Sequence, residues 1–304
     1  CKRSYKMSLS LIDYVSLFFV MVIGLPHGAF DNALGYLLGY SRGLKSFLLF
    51  SAAYLGVAGL VYLVWLFLPV MSLICFLGYS LIHFGLGDVT SLRRSLLQSP
   101  KSQFLSWRSR SRLMDGISVF AHGGLVTLFV PFWHADEVSW LFQLLTGEKA
   151  TTVMMIIYPF CILWAGCLLV IMCTATYQPL YRRSASELVT LTFCLTLIPP
   201  LAGFAVYFCA VHSRRHFQQI WYNITLTLPR RSSLGLASLL TGASWALAGA
   251  LYASQPVADG VDAALLRSVF ILLAALTVPH MLLVDMIFRP RTMMGAQHLE
   301  KDIW

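Results

Sequence analysis

The sequence predicts an all-α fold, a polytopic integral membrane helical bundle of about eight or nine transmembrane helices. Two observations carry that prediction. Of 304 residues, 58% are hydrophobic and only 12% charged, and the mean hydropathy is +0.73. A soluble domain is nearer half apolar and a quarter charged, so the excess has no place in one water-soluble core. The apolar residues also stand in unbroken runs of about 18 or more, the length that crosses a hydrocarbon core of about 30 Å. A barrel strand would alternate apolar and polar at every second position; these runs do not.

In chain order, helices are expected over residues 10–26, 44–68, 70–88, 112–133, 152–175, 187–199, 200–222, 233–254 and 263–288. Pro199-Pro200 divides the sixth from the seventh, as a break or as a kink, and the count turns on which. The first run carries His27 and Asp31 where a small-residue cleavage site would stand, so it reads as a span and not as a cleavable leader. Residue 1 is Cys, and Met7 opens the first apolar run, so residues 1–6 read as an extension.

The loops between these segments set the orientation. Residues 91–112 hold Arg93, Arg94, Lys101, Arg108, Arg110 and Arg112 with no acid, which places that loop in the cytoplasm. The next loop, with Asp136, Glu137 and Glu148, falls outside. Arg182/Arg183, Arg230/Arg231 and Arg289/Arg291 then fall inside if Pro199-Pro200 separates two passes, and Asp259 and Asp262 fall outside. Lys2, Arg3 and Lys6 are discordant, and a start at Met7 removes them. The segment 89–111 mixes Leu, Phe and Trp with Ser, Arg and Lys, as a basic interfacial loop or a solvated linker does. With no internal repeat and no low-complexity tract, residues 1–304 form a single integral membrane domain.

Net charge is +9. In a soluble protein that balance would raise nucleic-acid binding, but here the basic residues lie between apolar runs and no binding motif accompanies them. The expected partner is the lipid bilayer, as a multi-pass protein of the cell (cytoplasmic) membrane, and not nucleic acid. Six of the seven cysteines lie inside apolar runs and no CxxC occurs, so they read as small core residues.

An ionisable residue at membrane depth is a functional hypothesis by default. Seven of the eight histidines lie in or at the end of an expected helix: His27, His83, His122, His134, His212, His216 and His280. Pro26-His27-Gly28-Ala29-Phe30-Asp31 closes the first run and His83-Phe84-Gly85-Leu86-Gly87-Asp88 the third. Each places an acid about one turn beyond its histidine, where Asp31 and Asp88 can orient the ligand region. His212-Ser213-Arg214-Arg215-His216 sets two imidazoles at i and i+4, on one helix face. This pair, with two further histidines beside Gly and Asp, points to a bound metal; neutral imidazole is far cheaper to bury than a charge. All-nitrogen ligation suits Fe, Cu, Zn or Ni. Four histidines would close a tetrahedral zinc site, and on an octahedral iron would leave two positions open. His122, in Ala121-His122-Gly123-Gly124, His134, after Pro131-Phe132-Trp133, and His280, in Val278-Pro279-His280-Met281, read as residues that line the pocket or bond to the ligands.

In this order, and across nearly the whole chain, these five pieces resemble the Brp/Blh family of microbial β-carotene 15,15′-dioxygenases. The resemblance implies an iron-dependent oxygenase that cleaves the central double bond of β-carotene with O2 into two retinals, which supply a rhodopsin. It implies Fe(2+) as cofactor and His27, His83, His212 and His216 as catalytic iron ligands. Residues 1–6 match nothing in the family's pattern. Cleaving an electron-rich C=C with dioxygen needs a metal, since side chains alone do not activate O2.

Three other readings are weighed against it. A membrane histidine-motif di-iron desaturase or hydroxylase needs repeated HxxxH and HxxHH clusters, and this chain has one HxxxH and no HH. An ion-coupled transporter predicts flux and no tightly bound redox metal. A bis-histidine haem protein predicts a Soret band.

Overall fold

A computed structural model describes residues 8–40, 43–97, 112–147, 150–225, 228–256 and 260–288. Among these residues the structure is helical, with no strand. Six helices are long and apolar enough to cross a membrane: Leu44–Phe67, Pro69–Leu92, Arg112–Trp133, Ala150–Tyr177, Ser233–Ala253 and Gly260–Asp285.

Helix α1 (Leu11–Phe19) begins at a reciprocal cap. Ser10 Oγ accepts from the Asp13 N–H, and Asp13 Oδ2 accepts from the Ser10 N–H, which satisfies two donors of the open first turn. The chain runs on through a π-helical turn (Val20–Gly24) and a 3-10 turn (Leu25–Gly28) into α2 (Asp31–Leu37). Helices α3 (Leu44–Phe67) and α4 (Pro69–Leu97) meet at Leu68, whose φ of −133° and ψ of 56° leave helical space. Pro69 then starts α4, where a missing N–H is harmless. Helix α5 (Arg112–Gly124) passes through a π-helical turn (Leu125–Phe129) into α6 (Val130–Trp133). Next come α7 (Ala135–Thr146), α8 (Ala150–Tyr177), α9 (Pro179–Leu197) and α10 (Pro200–Ala205). A π-helical stretch, Val206–Ser213, leads into α11 (Arg214–Thr225), followed by α12 (Arg230–Ala253) and α13 (Gly260–Met281), which ends in the π-helical Leu282–Phe288.

All nine expected segments are helical, and the structure resolves the double proline. Ile198 (φ −103°, ψ 136°) and Pro199 (φ −52°, ψ 147°) are extended, so the pair is a break and not a kink, as steric exclusion of the α region before proline requires. Six long spans against eight or nine expected has a physical reason. Leu11–Gly24 is short, α9 carries Arg182, Arg183 and Glu187, and the α10–α11 run carries Arg214 and Arg215. Part of the expected interfacial loop is different: residues 89–97 continue α4 as helix, while 98–111, the extension at 1–6 and the tail with His298 lie outside the described residues. Asp136 and Glu137, expected in a loop, open α7, where acids favour the positive end of the helix dipole.

Burial orders the bundle. Only 6% of the α3 window is buried against 61% for α5–α6 and for α13, so α5 and α13 form the centre and α3 turns Leu48, Leu55, Leu60 and Leu63 outward as a lipid face. Helices α4 and α5 approach backbone to backbone. A Cβ at Gly85 would stand 2.0 Å from the Val119 carbonyl oxygen, and one at Gly123 would stand 1.8 Å from that of Leu81. Small residues let membrane helices close in this way, and here they fix His83 and Asp88 on α4 against His122 on α5.

Candidate metal centre

Four imidazoles meet in the interior. His83 comes from α4, His212 from the π-helical stretch, His216 from α11 and His280 from the end of α13. The His83 ring centroid lies 5.1 Å from His212, 6.1 Å from His216 and 5.5 Å from His280, and His216 lies 4.8 Å from His280. The i,i+4 pair shares a face: His212 and His216 are 6.3 Å apart with planes inclined by 6°. All four are buried. These separations bring the four rings into one buried cluster.

Two carboxylates fix the rings. His83 Nδ1 is 2.9 Å from Asp285 Oδ2. His280 Nδ1 is 2.8 Å from Asp31 Oδ1, and Asp31 Oδ2 also accepts from the Tyr54 hydroxyl at 2.9 Å. A carboxylate only accepts, so each ring donates from Nδ1 and keeps its lone pair on Nε2. That is the carboxylate–imidazole arrangement of metal-ligating histidines. The donor set therefore fits a metal: buried neutral nitrogens, two of them held in the ligating tautomer.

A second polar cluster lies next to the first. Asp88, fully buried, accepts from the Tyr207 hydroxyl at 2.8 Å through Oδ2, and its Oδ1 forms an ion pair with Arg215 Nη1 at 3.2 Å. Arg215 Nη1 also contacts Glu187 Oε1 at 2.6 Å. His122 Nε2 is 2.8 Å from Ser184 Oγ. The ligand atoms of Asp88, His122 and Glu187 lie within 4.8 Å of one another, close enough to hold an ion. Arg215 already bridges the two carboxylates, however, so a cation there would have to compete with a bound guanidinium. We assign this cluster to structure. It borders the imidazoles: His212 Nδ1 lies 3.9 Å from Asp88 Oδ1, beyond a hydrogen bond.

The residues expected from the sequence are thus placed as follows. His83, His212 and His216 come together. His27 lies on the 3-10 turn Leu25–Gly28, which packs against α13, the helix of His280; its side chain is outside the described residues. Asp31 binds His280, and Asp88 binds Tyr207 and Arg215. His122 belongs to the Arg215 cluster. His134 stands apart, 2.9 Å from the Leu195 carbonyl oxygen. Sequence reasoning gave Asp285 no role and read His280 first as a pocket residue and only second as a ligand. Their spacing held the signal, because His280…Asp285 repeats the five-residue separation of His83…Asp88.

An apolar cavity of about 90 Å³ adjoins the centre. Among its walls are Phe84 and Phe208, whose rings lie 4.6 Å and 6.3 Å from His212. A second cavity is lined by His216 itself with Phe30, Phe217 and Arg214.

Comparison with known proteins supplies the remaining observation. Residues 18–288 match the family described as beta-carotene 15,15'-dioxygenase. A beta-carotene 15,15'-dioxygenase from an uncultured marine bacterium (66A03) is 36% identical over 290 residues, covering 94% of this chain and 98% of the relative. A protein named probable beta-carotene 15,15'-dioxygenase Blh, from Halobacterium salinarum, is 25% identical over 293 residues, covering 87% of this chain and 81% of that one. No solved structure matches the chain.

Proposed function

This chain belongs to the β-carotene 15,15′-dioxygenase family, and from that premise we propose that it cleaves the central double bond of β-carotene with O2 to give two retinal molecules, at an iron held by its buried histidines. The observation that carries the reading is the imidazole cluster with carboxylate-held Nδ1 atoms, inside a membrane bundle, beside an apolar cavity. We take His83, His212 and His216 as ligands, a reading supported by their packing into one buried cluster. His280 joins them by its distance to His83 and His216, and His27 by the resemblance, from the turn packed on α13.

The metal, proposed as Fe(2+), supplies the redox chemistry that lets dioxygen react with a closed-shell polyene. The rest belongs to the chain. Asp31 and Asp285 hold the His280 and His83 rings in one tautomer and one orientation, so the lone pairs stay directed at a common point. Phe84 and Phe208 pack on the His212 side and keep water from it. The balance is simple: one C=C and one O2 give two aldehydes, with no other reductant. A substrate dissolved in the bilayer reaches a site among helices without crossing water. The retinal then supplies a rhodopsin of the same cell membrane, as the resemblance implies.

The di-iron reading would need a second centre. The adjacent cluster has the spacing, but Arg215 already stands between its two carboxylates, where a second ion would have to displace it. The test is chromatographic: iron-loaded protein in detergent is given β-carotene and air and assayed for retinal. Two retinals per carotene lost, abolished by an iron chelator, is the expected result; iron-loaded protein that yields none overturns the reading.

A further inference from the structure

Cleavage at the middle of a long symmetric polyene poses a measuring problem, because neighbouring double bonds are chemically alike. Something must fix how far the chain extends past the metal. Two helices carry a ruler of this kind. On α4, the cavity is lined by Leu73, Phe76, Leu77, Ser80 and Phe84, an i, i+3, i+4, i+7 stripe, and His83 lies three residues beyond Ser80 on the same stripe. On α13, Leu266, Phe270, Leu273 and Thr277 line it, and His280 lies three residues beyond Thr277. The face that forms the cavity on each helix therefore ends in a histidine of the centre.

Helix rise converts these numbers into depth. Leu73 precedes His83 by ten residues and Phe270 precedes His280 by ten. At about 1.5 Å per residue, both stand roughly 15 Å from the centre along their axes. An aromatic path joins the two ends. Phe84 lies 4.6 Å from His212, Phe208 lies 6.0 Å from Phe84, Phe204 stacks on Phe208 at 5.3 Å and 12°, and Phe270 lies 5.5 Å from Phe204. The lining carries no charged side chain; its polar members are the hydroxyls of Ser80, Thr127 and Thr277, and Thr127 gives its proton to the Gly123 carbonyl. A cavity without charge or free acid suits a hydrocarbon.

We infer that this cavity seats one ring-capped half of the carotenoid, and that its far walls, Leu73 on α4 and Phe270 and Leu266 on α13, select the bond presented to the metal. The inference rests on the carotenoid-cleaving reading above. The other half leaves on the side of His216, where the second cavity lies.

The test reads product length rather than rate. Phe270→Ala deepens the far end and Leu73→Trp fills it. Iron-loaded protein is given β-carotene, and the aldehydes are separated. Wild type is expected to give retinal alone. Each variant is expected to move cleavage by at least one double bond, so that a short and a long apocarotenal replace retinal as the main products while bound iron is unchanged. Should Leu73→Trp fail to fold, Phe270→Ala and Leu266→Ala carry the test. Binding of β-carotene to metal-free protein, followed by the shift of its absorption band, is expected to weaken at least about tenfold in Leu73→Trp, the loss of a kilocalorie-scale packing term. Folded, iron-loaded variants that still yield retinal alone overturn the cavity assignment while the family reading stands. Iron-loaded wild type that yields no retinal overturns the family reading first.

Discussion

The interior holds two polar clusters, built from the same residue types and touching at His212 and Asp88, yet they are organised in opposite ways. In one, Asp31 and Asp285 face neutral imidazoles. In the other, Asp88 and Glu187 share the guanidinium of Arg215. Arg215 stands between two carboxylates, so an incoming cation there meets a guanidinium already in place. A carboxylate on an imidazole Nδ1 instead orients the ring and makes its far nitrogen a better metal ligand. On the reading proposed above, the partner, more than the acid, distinguishes the metal site from the scaffold. The comparison can be broken at either cluster.

The largest effect is expected at the imidazoles. His83→Ala removes the ring that lies within 6.1 Å of three others, and metal affinity should fall by more than about 100-fold, beyond the range for outer partners of a ligand. Metal analysis of the purified variant checks this, and retinal formation should vanish with the iron. Full iron content in that variant would remove His83 from the ligand set.

Next is Arg215→Met. Without the guanidinium, Asp88 and Glu187 are left close together with no counter-charge. Breaking a buried pair costs about 3–5 kcal/mol, and the lower end applies because Arg215 and Glu187 keep 20% and 16% of their side chains exposed. Thermal unfolding in detergent should show a lowered Tm, and Arg215→Lys should recover part of it. A variant that unfolds as wild type does but binds a metal at Asp88, His122 and Glu187 would turn the second cluster into a site.

How much of this was legible follows from the range of each interaction. The helices were, because hydropathy runs are local, and so was the His212/His216 pair, because i,i+4 geometry is local. The carboxylate partners were not. Local spacing pairs His27 with Asp31 and His83 with Asp88. The fold brings Asp31 to His280, 249 residues away, and Asp285 to His83, 202 residues away. The π-helical turns also defeat local reading. The one at Leu282–Phe288 carries Asp285 on a face that a 3.6-residue period does not give, as such turns often do near functional sites.

Asp285→Asn probes that exchange directly. The amide keeps the shape but no longer offers an anionic acceptor to His83 Nδ1, and metal affinity should fall about 10–100-fold. Asp88→Asn should leave metal affinity within about tenfold, since Asp88 Oδ1 is 3.9 Å from His212. Reversed results would show that the partners follow the sequence spacing after all.

The smallest expected effect tests whether the clusters are separate at their point of contact. Tyr207 packs its ring against Phe84 at 5.6 Å and His212 at 6.4 Å, while its hydroxyl donates to Asp88 at 2.8 Å. Tyr207→Phe removes the proton donor and keeps the ring. A hydrogen bond to a charged group contributes about 1.5–3 kcal/mol, and the low end applies because Arg215 still holds Asp88. Stability should therefore fall by about 1.5 kcal/mol, with metal affinity unchanged. The sign of the second measurement matters more than the size of the first. If metal affinity falls as well, Asp88 relays its hydrogen-bonding state to the His212 ring across the 3.9 Å gap, and the scaffold cluster is part of the site. If only stability moves, the imidazoles are independent of the hydrogen bonding of their neighbour, and the second cluster is scaffold.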